Sequence, residues 1–397
     1  MKDENYIVPG FKASAVSAGL KKNGGLDMAL IYCDVDATVA GVFTTNRVQA
    51  APVVLSRANI KNGKARAIVA NSGNANACTG VQGMEDARAT ASLVADKTGI
   101  NEQDVLVCST GVIGLPMDMG KVQRAIPELV RSLSEARFLD VAKAIMTTDT
   151  FPKLCFRVGN VGGSSFNILG IAKGAGMIMP NMATMLCFIL TDVNVDPVTL
   201  SKSLTLVVDR TFNRITVDGD MSTNDTVLMM ASGLAGNRDL TQEDKGTFVA
   251  LLEEVAGDLA KMIVKDGEGA TKLVRIRVKG ATDRESASKA ARTVANSLLV
   301  KTALYGNDPN WGRIMAALGR SGVRMDENRV DIWVGDVQIV SNGLGLGVEY
   351  EKSAAGIMKQ ERTYDLTIDL NQGRHEGYMW TCDLSHDYVS INADYRT

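Results

Sequence analysis

Residues 172–192 read AKGAGMIMPNMATMLCFILTD. From Met185 onward the stretch is a short, unbroken apolar run. Apolar on both faces, it predicts a central strand covered on each side. The part before it carries two glycines and a proline, which predict an irregular loop. A tight loop thus feeds an inner strand, and the Ala183–Thr184 step lies at the join. If the loop strains that peptide, the Thr184 hydroxyl can attack the Ala183 carbonyl, and water can hydrolyse the resulting ester. Thr184 then begins a new chain, 184–397, and leaves 1–183 behind. Its α-amine, with an ordinary pKa of about 7.7–8.0, can take the proton of its own hydroxyl, so nucleophile and base belong to one residue. The plainer account is a loop-to-strand junction, and residue types by themselves favour it.

Outward from this stretch, strand-like and helix-like segments alternate. MALIYCDV, VAGVFTTN, ARAIVAN and DVLVCS read as strands, with a polar loop, SGNANACTG, between the last two. Helical spacing runs through GMEDARATASLVADKTG and from Met117 to Met146, with a break near Ser134 that could cap the second piece. KLCFRVG and SFNILGIAKGAG are further strands. TQEDKGTFVALLEEVAGDLAKMIVKDG is a long amphipathic helix opened by a Thr and a Glu at capping-box spacing. TKLVRIRVKG reads as a half-exposed strand. After it come the helix DRESASKAARTVANSLLVKTAL and the short strands VDIWVG, DVQIVS, YDLTIDL and YMWTCDL. The pattern predicts an α/β protein with a main domain over 1–280 and a smaller domain over 281–397.

Bulk composition narrows the function. With 397 residues, two domains are expected. A net charge of −2 with the signs well mixed excludes the basic stripe of a nucleic-acid binder. No apolar run is long enough for a membrane helix, and the N-terminus lacks a signal peptide's apolar stretch, so a cytoplasmic protein is expected. Six cysteines stand apart with no CxxC pair, and Cys108 and Cys187 sit in apolar runs that suggest inert buried thiols. Only two histidines occur, His375 and His386. Multi-histidine metal sites are therefore nearly excluded, and an enzyme built on this chain needs a base other than histidine.

The segment KGAGMIMPNMATML resembles the ornithine acetyltransferase family, also called glutamate N-acetyltransferase or ArgJ, whose pattern there is KGxGMxxPxMATML. Further blocks follow in the family's order: GVFTTNRVQAAPV, NSGNANACTG, STGVIGLPM, IMTTDTFPK, TVDGDMSTND, VKDGEGATK, KTALYGNDPNWGRI and YVSINADYRT. The resemblance spans essentially the whole chain. It implies transfer of an acetyl group from N-acetylornithine to glutamate in arginine biosynthesis, by a ping-pong route through acetyl-threonine. Some members also take acetyl-CoA as donor. It implies no cofactor and no metal.

Carried over residue by residue, the resemblance makes Ala183–Thr184 the cleavage point and Thr184 the nucleophile. Thr110 and Gly111 become the oxyanion hole, a part that suits a hydroxyl and a glycine amide. Substrate contacts fall to Lys173, a natural partner for a carboxylate, to Glu268, a partner for the ornithine ammonium, and to Thr147, with Thr148 an open alternative. Asn392 and the terminal Thr397 would close over the substrate. The implied fold is an ArgJ/DmpA-like α/β sandwich with stacked sheets between helical layers. The two fragments would form a heterodimer, and two heterodimers a heterotetramer. The Asp-, Asn- and Gly-rich blocks TVDGDMSTND and YGNDPNWGRI are explained by turns and Asx caps. Trp311 and Arg313 are given packing roles. Two alternatives keep other chemistry: a self-cleaving amidohydrolase or aminopeptidase that hands the acyl group to water, and a metabolite-binding protein that never cleaves.

Overall fold

The computed structural model describes residues 6–22, 24–179 and 185–394. It divides into two compact units. One takes in the chain up to Asn213 together with Asp220–Ile263, and the other takes in Arg214–Gly219 and the chain from Val264. A boundary near 280 falls instead at the end of the first long strand of the second unit.

Strands β1 (Phe11–Val16), β2 (Met28–Phe43), β3 (Lys64–Asn71), β4 (Val105–Ser109), β5 (Lys153–Val161), β6 (Ser164–Lys173) and β7 (Leu186–Thr191) lie in the first unit. The two-residue strand β8 (Ile215–Thr216) belongs to the second, and β9 (Thr226–Ala231) returns to the first. The first sheet has the order β4-β3-β2-β9-β7-β6-β5, with β1 beside β2. Parallel and antiparallel pairs are mixed: β7 runs parallel to β9 and antiparallel to β6. As the sequence predicts, β7 is buried at every position and pairs on both sides.

MALIYCDV and VAGVFTTN, read as two strands, belong to one strand, β2, whose register shifts between Tyr32 and Ala37. That irregularity folds the sheet. Met28 at one end of β2 pairs with Asn71, the neighbour of Ser109. Phe43 at the other end leads through Thr226 and Leu186 to Lys173. A straight strand of that length would part the two ends by about 50 Å, yet Lys173 lies 3.3 Å from Thr110, the residue after Ser109. The sheet therefore doubles back along β2 into two layers. Ile31, Ile68 and Leu106 from one layer share a buried cluster with Ile171, Phe188 and Leu228 from the other. Outside, helices Gly80–Thr98 and Met119–Arg131 pack on the β3–β4 layer, and Val255 and Leu259 of helix Gln242–Lys265 fill the space over Gly170 of β6.

Several local expectations change in detail. The helical stretch from Met117 breaks as expected, but Ser134 bridges to Ala13 through the backbone, and the second helix starts at Phe138. At the start of Gln242–Lys265 the capping box is reciprocal between Thr241 and Asp244 rather than a Glu. The helix read from DRESASKAARTVANSLLVKTAL is two, Arg284–Ala295 and Leu298–Tyr305, the second capped by the Ser297 hydroxyl.

The second unit is also mixed α/β. Its strands are β8, β10 (Leu273–Ala281), β11 (Asp331–Val334), β12 (Val337–Ser341), β13 (Leu344–Gly345), β14 (Thr363–Asp369) and β15 (His375–Cys382). They run in the order β13-β12-β11-β14-β10-β15-β8. The small residues Ala287, Ala290 and Ala291 let helix Arg284–Ala295 pack into that unit's core. No helix among the described residues is long and apolar enough to cross a membrane. All six cysteines are free, and five of them, Cys108 and Cys187 included, are buried.

Candidate functional site

Folding the first sheet brings strand ends from different parts of the chain to one place. Lys173 ends β6, opposite Leu186 at the start of β7. Its side chain is buried. The ammonium donates to Thr147 Oγ1 at 2.8 Å and to Thr110 Oγ1 at 3.3 Å. Three residues singled out from the sequence thus meet around one cation, and Thr147, not Thr148, is the one on Lys173. A lysine sealed inside a protein keeps its charge only when its donors are matched and a counter-charge is near.

Asp149 supplies that counter-charge. It is buried, and its Oδ1 accepts from Lys153 Nζ at 2.7 Å and from the Gly174 amide at 2.7 Å. Its Oδ2 accepts from the Thr147 amide at 2.9 Å. Burial pushes its carboxyl up, but Lys173 and Lys153, with the hydrogen bonds, outweigh it and hold the group down at about 2. Asp149 therefore carries a fixed negative charge and orients both Thr147 and the turn after Lys173.

Thr110 follows β4, and its amide donates to Asn71 O at 2.9 Å. Gly111 has φ +130°, and a Cβ there would lie 2.4 Å from the Gly73 carbonyl carbon. The 110–111 turn is pressed against the 71–76 loop, which fixes the direction of its backbone. That loop is tied down in turn by Asn224, which donates to Ala75 O at 2.7 Å and to Ser109 O at 2.8 Å.

The neighbour of Asn224, Asp225, is fully buried ahead of β9. Its Oδ1 accepts the Met185 amide at 2.9 Å, and its Oδ2 has no hydrogen-bond partner among the described residues. Burial drives this carboxyl well above the usual range, against the opposing pull of the Met185 amide and the Lys173 charge. Asp149 and Asp225 were missed as site residues in the sequence. Their blocks, TTDTFPK and STND, were on view, but an aspartate in a turn and one walled into a core look alike there.

In the second unit, Glu268 is buried between two glycines and accepts from Asn392 Nδ2 at 2.7 Å. Gly269 has φ +69°, and a Cβ there would lie 2.6 Å from Ser385 Oγ and from the Tyr388 amide. The helix His386–Asp394 is thereby seated against the 268–269 turn, with Ser385 Oγ donating to Gly269 O at 2.7 Å. Glu268 and Asn392 are thus brought together. Ala183, Thr184 and Thr397 lie outside the described residues. Among the described residues no group of three or more His, Cys, Asp or Glu is placed to hold a metal ion.

The profile of the ArgJ family matches residues 12–397. The chain is 54% identical over 392 residues to the arginine biosynthesis bifunctional protein ArgJ of Geobacter sulfurreducens, covering 98% of this chain and 100% of that one. It is 50% identical over 400 residues to the glutamate N-acetyltransferase of Methanocaldococcus jannaschii, covering 98% and 97%. Among solved structures, the arginine biosynthesis bifunctional protein argJ of Bacillus halodurans aligns with a TM-score of 0.52 and 44% identity, covering 53% of this chain and 100% of that one.

Proposed function

Since the chain belongs to the ArgJ family, we infer that it is a glutamate N-acetyltransferase of arginine biosynthesis that matures by cutting itself between Ala183 and Thr184. The matured enzyme moves an acetyl group from N-acetylornithine to glutamate. The observation that carries this reading is the register of β6 and β7. It sets Lys173, with Thr110 and Thr147 on its ammonium, opposite Leu186, two residues after Thr184. The solved relative's chain, fully covered while matching 53% of this one, is close in length to the piece that cleavage before Thr184 leaves.

In the working cycle the Thr184 amine takes the hydroxyl proton as Thr184 Oγ attacks the acetyl carbonyl carbon of N-acetylornithine. The tetrahedral oxyanion is met by the Thr110 hydroxyl and the Gly111 amide, donors fixed before the charge develops. The amine then protonates the departing ornithine amine, and acetyl-threonine remains. Glutamate attacks this ester in the second half and leaves as N-acetylglutamate. Lys173 and Thr147 bind the donor. Glu268 meets the ornithine ammonium, and Asn392 and Thr397 close over it. The bifunctional name of the Geobacter relative supports a second donor, for which acetyl-CoA is the natural choice. The fragments stay together as a heterodimer, paired into a heterotetramer.

Intact mass and a coupled assay test the reading. The wild type is expected as two fragments split before Thr184 and Thr184→Ala as one chain without transfer activity. Deacetylation of N-acetylornithine is expected to require glutamate. Loss of the acetyl group to water at equal rate without glutamate points to a hydrolase, and an uncut, active wild type removes the N-terminal amine from the mechanism.

A further inference from the structure

Between β1 and β2 the chain makes a turn clamped on one carboxylate. Asp27 is fully buried and accepts the amides of Ala18, Leu20 and Lys21. The turn lies against the 71–76 loop. Gly73 has φ +93°, and a Cβ there would lie 2.9 Å from Leu20 O and 3.1 Å from the Lys21 nitrogen. It is also the Gly73 carbonyl carbon that a Cβ on Gly111 would meet. Gly73 is thus wedged between the 20–21 peptide and the 110–111 turn. The half-buried Lys21 side chain continues along the same site. Its ammonium donates to Leu26 O at 3.0 Å and to Ala144 O at 3.4 Å. Ala144 lies in the last turn of helix Phe138–Ile145, just ahead of Thr147, and its carbonyl also accepts from the Ser72 hydroxyl.

The charges of Asp149 and Lys173 both reach this ammonium. Burial pushes its pKa down, and Lys173 acts the same way against the pull of Asp27 and Asp149. Both of its acceptors are neutral carbonyls, and among the described residues it makes no ion pair. An ammonium carries three donors, so one is left over. Neither neighbouring carboxylate takes it: Asp27 is occupied by three amides, and Asp149 by Lys153 and the amides of Thr147 and Gly174. A partly desolvated cation in this state gains from an anion brought beside it.

The two substrates of the transfer cycle share an α-carboxylate, the group suited to Lys173, and differ at the far end. N-acetylornithine ends in an ammonium and glutamate in a carboxylate. Glu268 suits the first and repels the second, so the acceptor's far end needs a cation of its own. We propose that Lys21 is that cation, which holds the side-chain carboxylate of the acceptor and selects glutamate over its amide. This rests on the reading that the chain is a glutamate N-acetyltransferase with Lys173 at its substrate site. The donor's side chain carries the charge of Lys21 itself and gains nothing there, so the effect of Lys21 belongs to the second half of the cycle.

The test is Lys21→Gln in the full chain, which keeps a donor for the two carbonyls but carries no charge. Acetyl transfer from N-acetylornithine is followed with glutamate and with glutamine as acceptor. The wild type is expected to prefer glutamate. In Lys21→Gln the kcat/KM for glutamate is expected to fall about 10- to 100-fold, the worth of one charge-assisted hydrogen bond, with the loss in KM and with the value for glutamine little changed. The ratio of the two acceptors does not depend on how much of the variant folds. A ratio in Lys21→Gln equal to that of the wild type overturns the proposal, and if both acceptors lose equally Lys21 serves the turn alone. A wild type indifferent to the acceptor's charge overturns it as well. A wild type that acetylates neither acceptor fails earlier, at the transferase reading itself.

Discussion

Gly111 cannot be replaced at low cost. Its φ of +130° suits few other residues, and the space a Cβ needs is held by the Gly73 backbone, which cannot rotate away as a side chain can. Gly111→Ala is expected to lose on the order of 3 kcal/mol, read as a lower urea midpoint, because the 110–111 turn and the 71–76 loop must part. Residue identity alone told only part of this. The resemblance named Thr110, Gly111, Thr147 and Lys173, and chemistry suggested what each could do. What joins the side chains is burial around one ammonium, which no spacing in the chain reveals. Asp149 and Asp225 were harder still. Their electrostatics follow from what surrounds them: two cations and two amides outweigh burial at Asp149, whereas burial outweighs the Met185 amide and the other opposing groups at Asp225.

At the level of elements, β7 was legible because an unbroken buried apolar run, Leu186 to Leu190, has few other uses. Its partner β9, TVLMMA, carries no comparable signal, since a short apolar run reads equally as helix or strand. The fold in β2 looks in sequence like a gap between two strands, because a change of layer resembles an ending. The helix His386–Asp394 has no buried residue, so no apolar stripe announces it. It is held at Ser385 and at Asn392 instead. Asn392→Ala is expected to raise the KM for N-acetylornithine about 10-fold, the worth of one charge-assisted hydrogen bond, and to leave cleavage at its normal extent. Glu268→Ala should raise it further. Equal damage to cleavage and to KM would mark both as folding defects.

For the molecule as a whole, the buried carboxyls make stability depend on pH in opposite directions. The folded value of Asp149, about 2, lies below its ordinary 3.8. Its contribution is therefore complete above 3.8 and is lost as pH falls toward 2, a change of ~2 kcal/mol. Asp225 is raised, so its share is complete at low pH and declines as pH climbs past the ordinary carboxylate range. In the uncut Thr184→Ala background, adding Asp149→Asn is expected to cost at least ~2 kcal/mol near pH 6, with the gap closing by pH 2. Denaturant melts across that range check it, and a gap that does not change with pH would mean that Asp149 is not the ionised anchor of the site.

The order β4-β3-β2-β9-β7-β6-β5 puts two strands from after the cut, β9 and β7, between β2 and β6 from before it. Each half of a matured molecule is thus laced into the other by hydrogen bonds on both flanks, and neither can leave without tearing the middle out of the sheet. The two halves are siblings from a single translation and stay so for the life of the enzyme. In a cell carrying two versions of the gene, one damaged in its first half and the other in its second, sound halves have no way to find each other. On the reading that the chain cuts itself before Thr184, such alleles cannot complement by trading pieces.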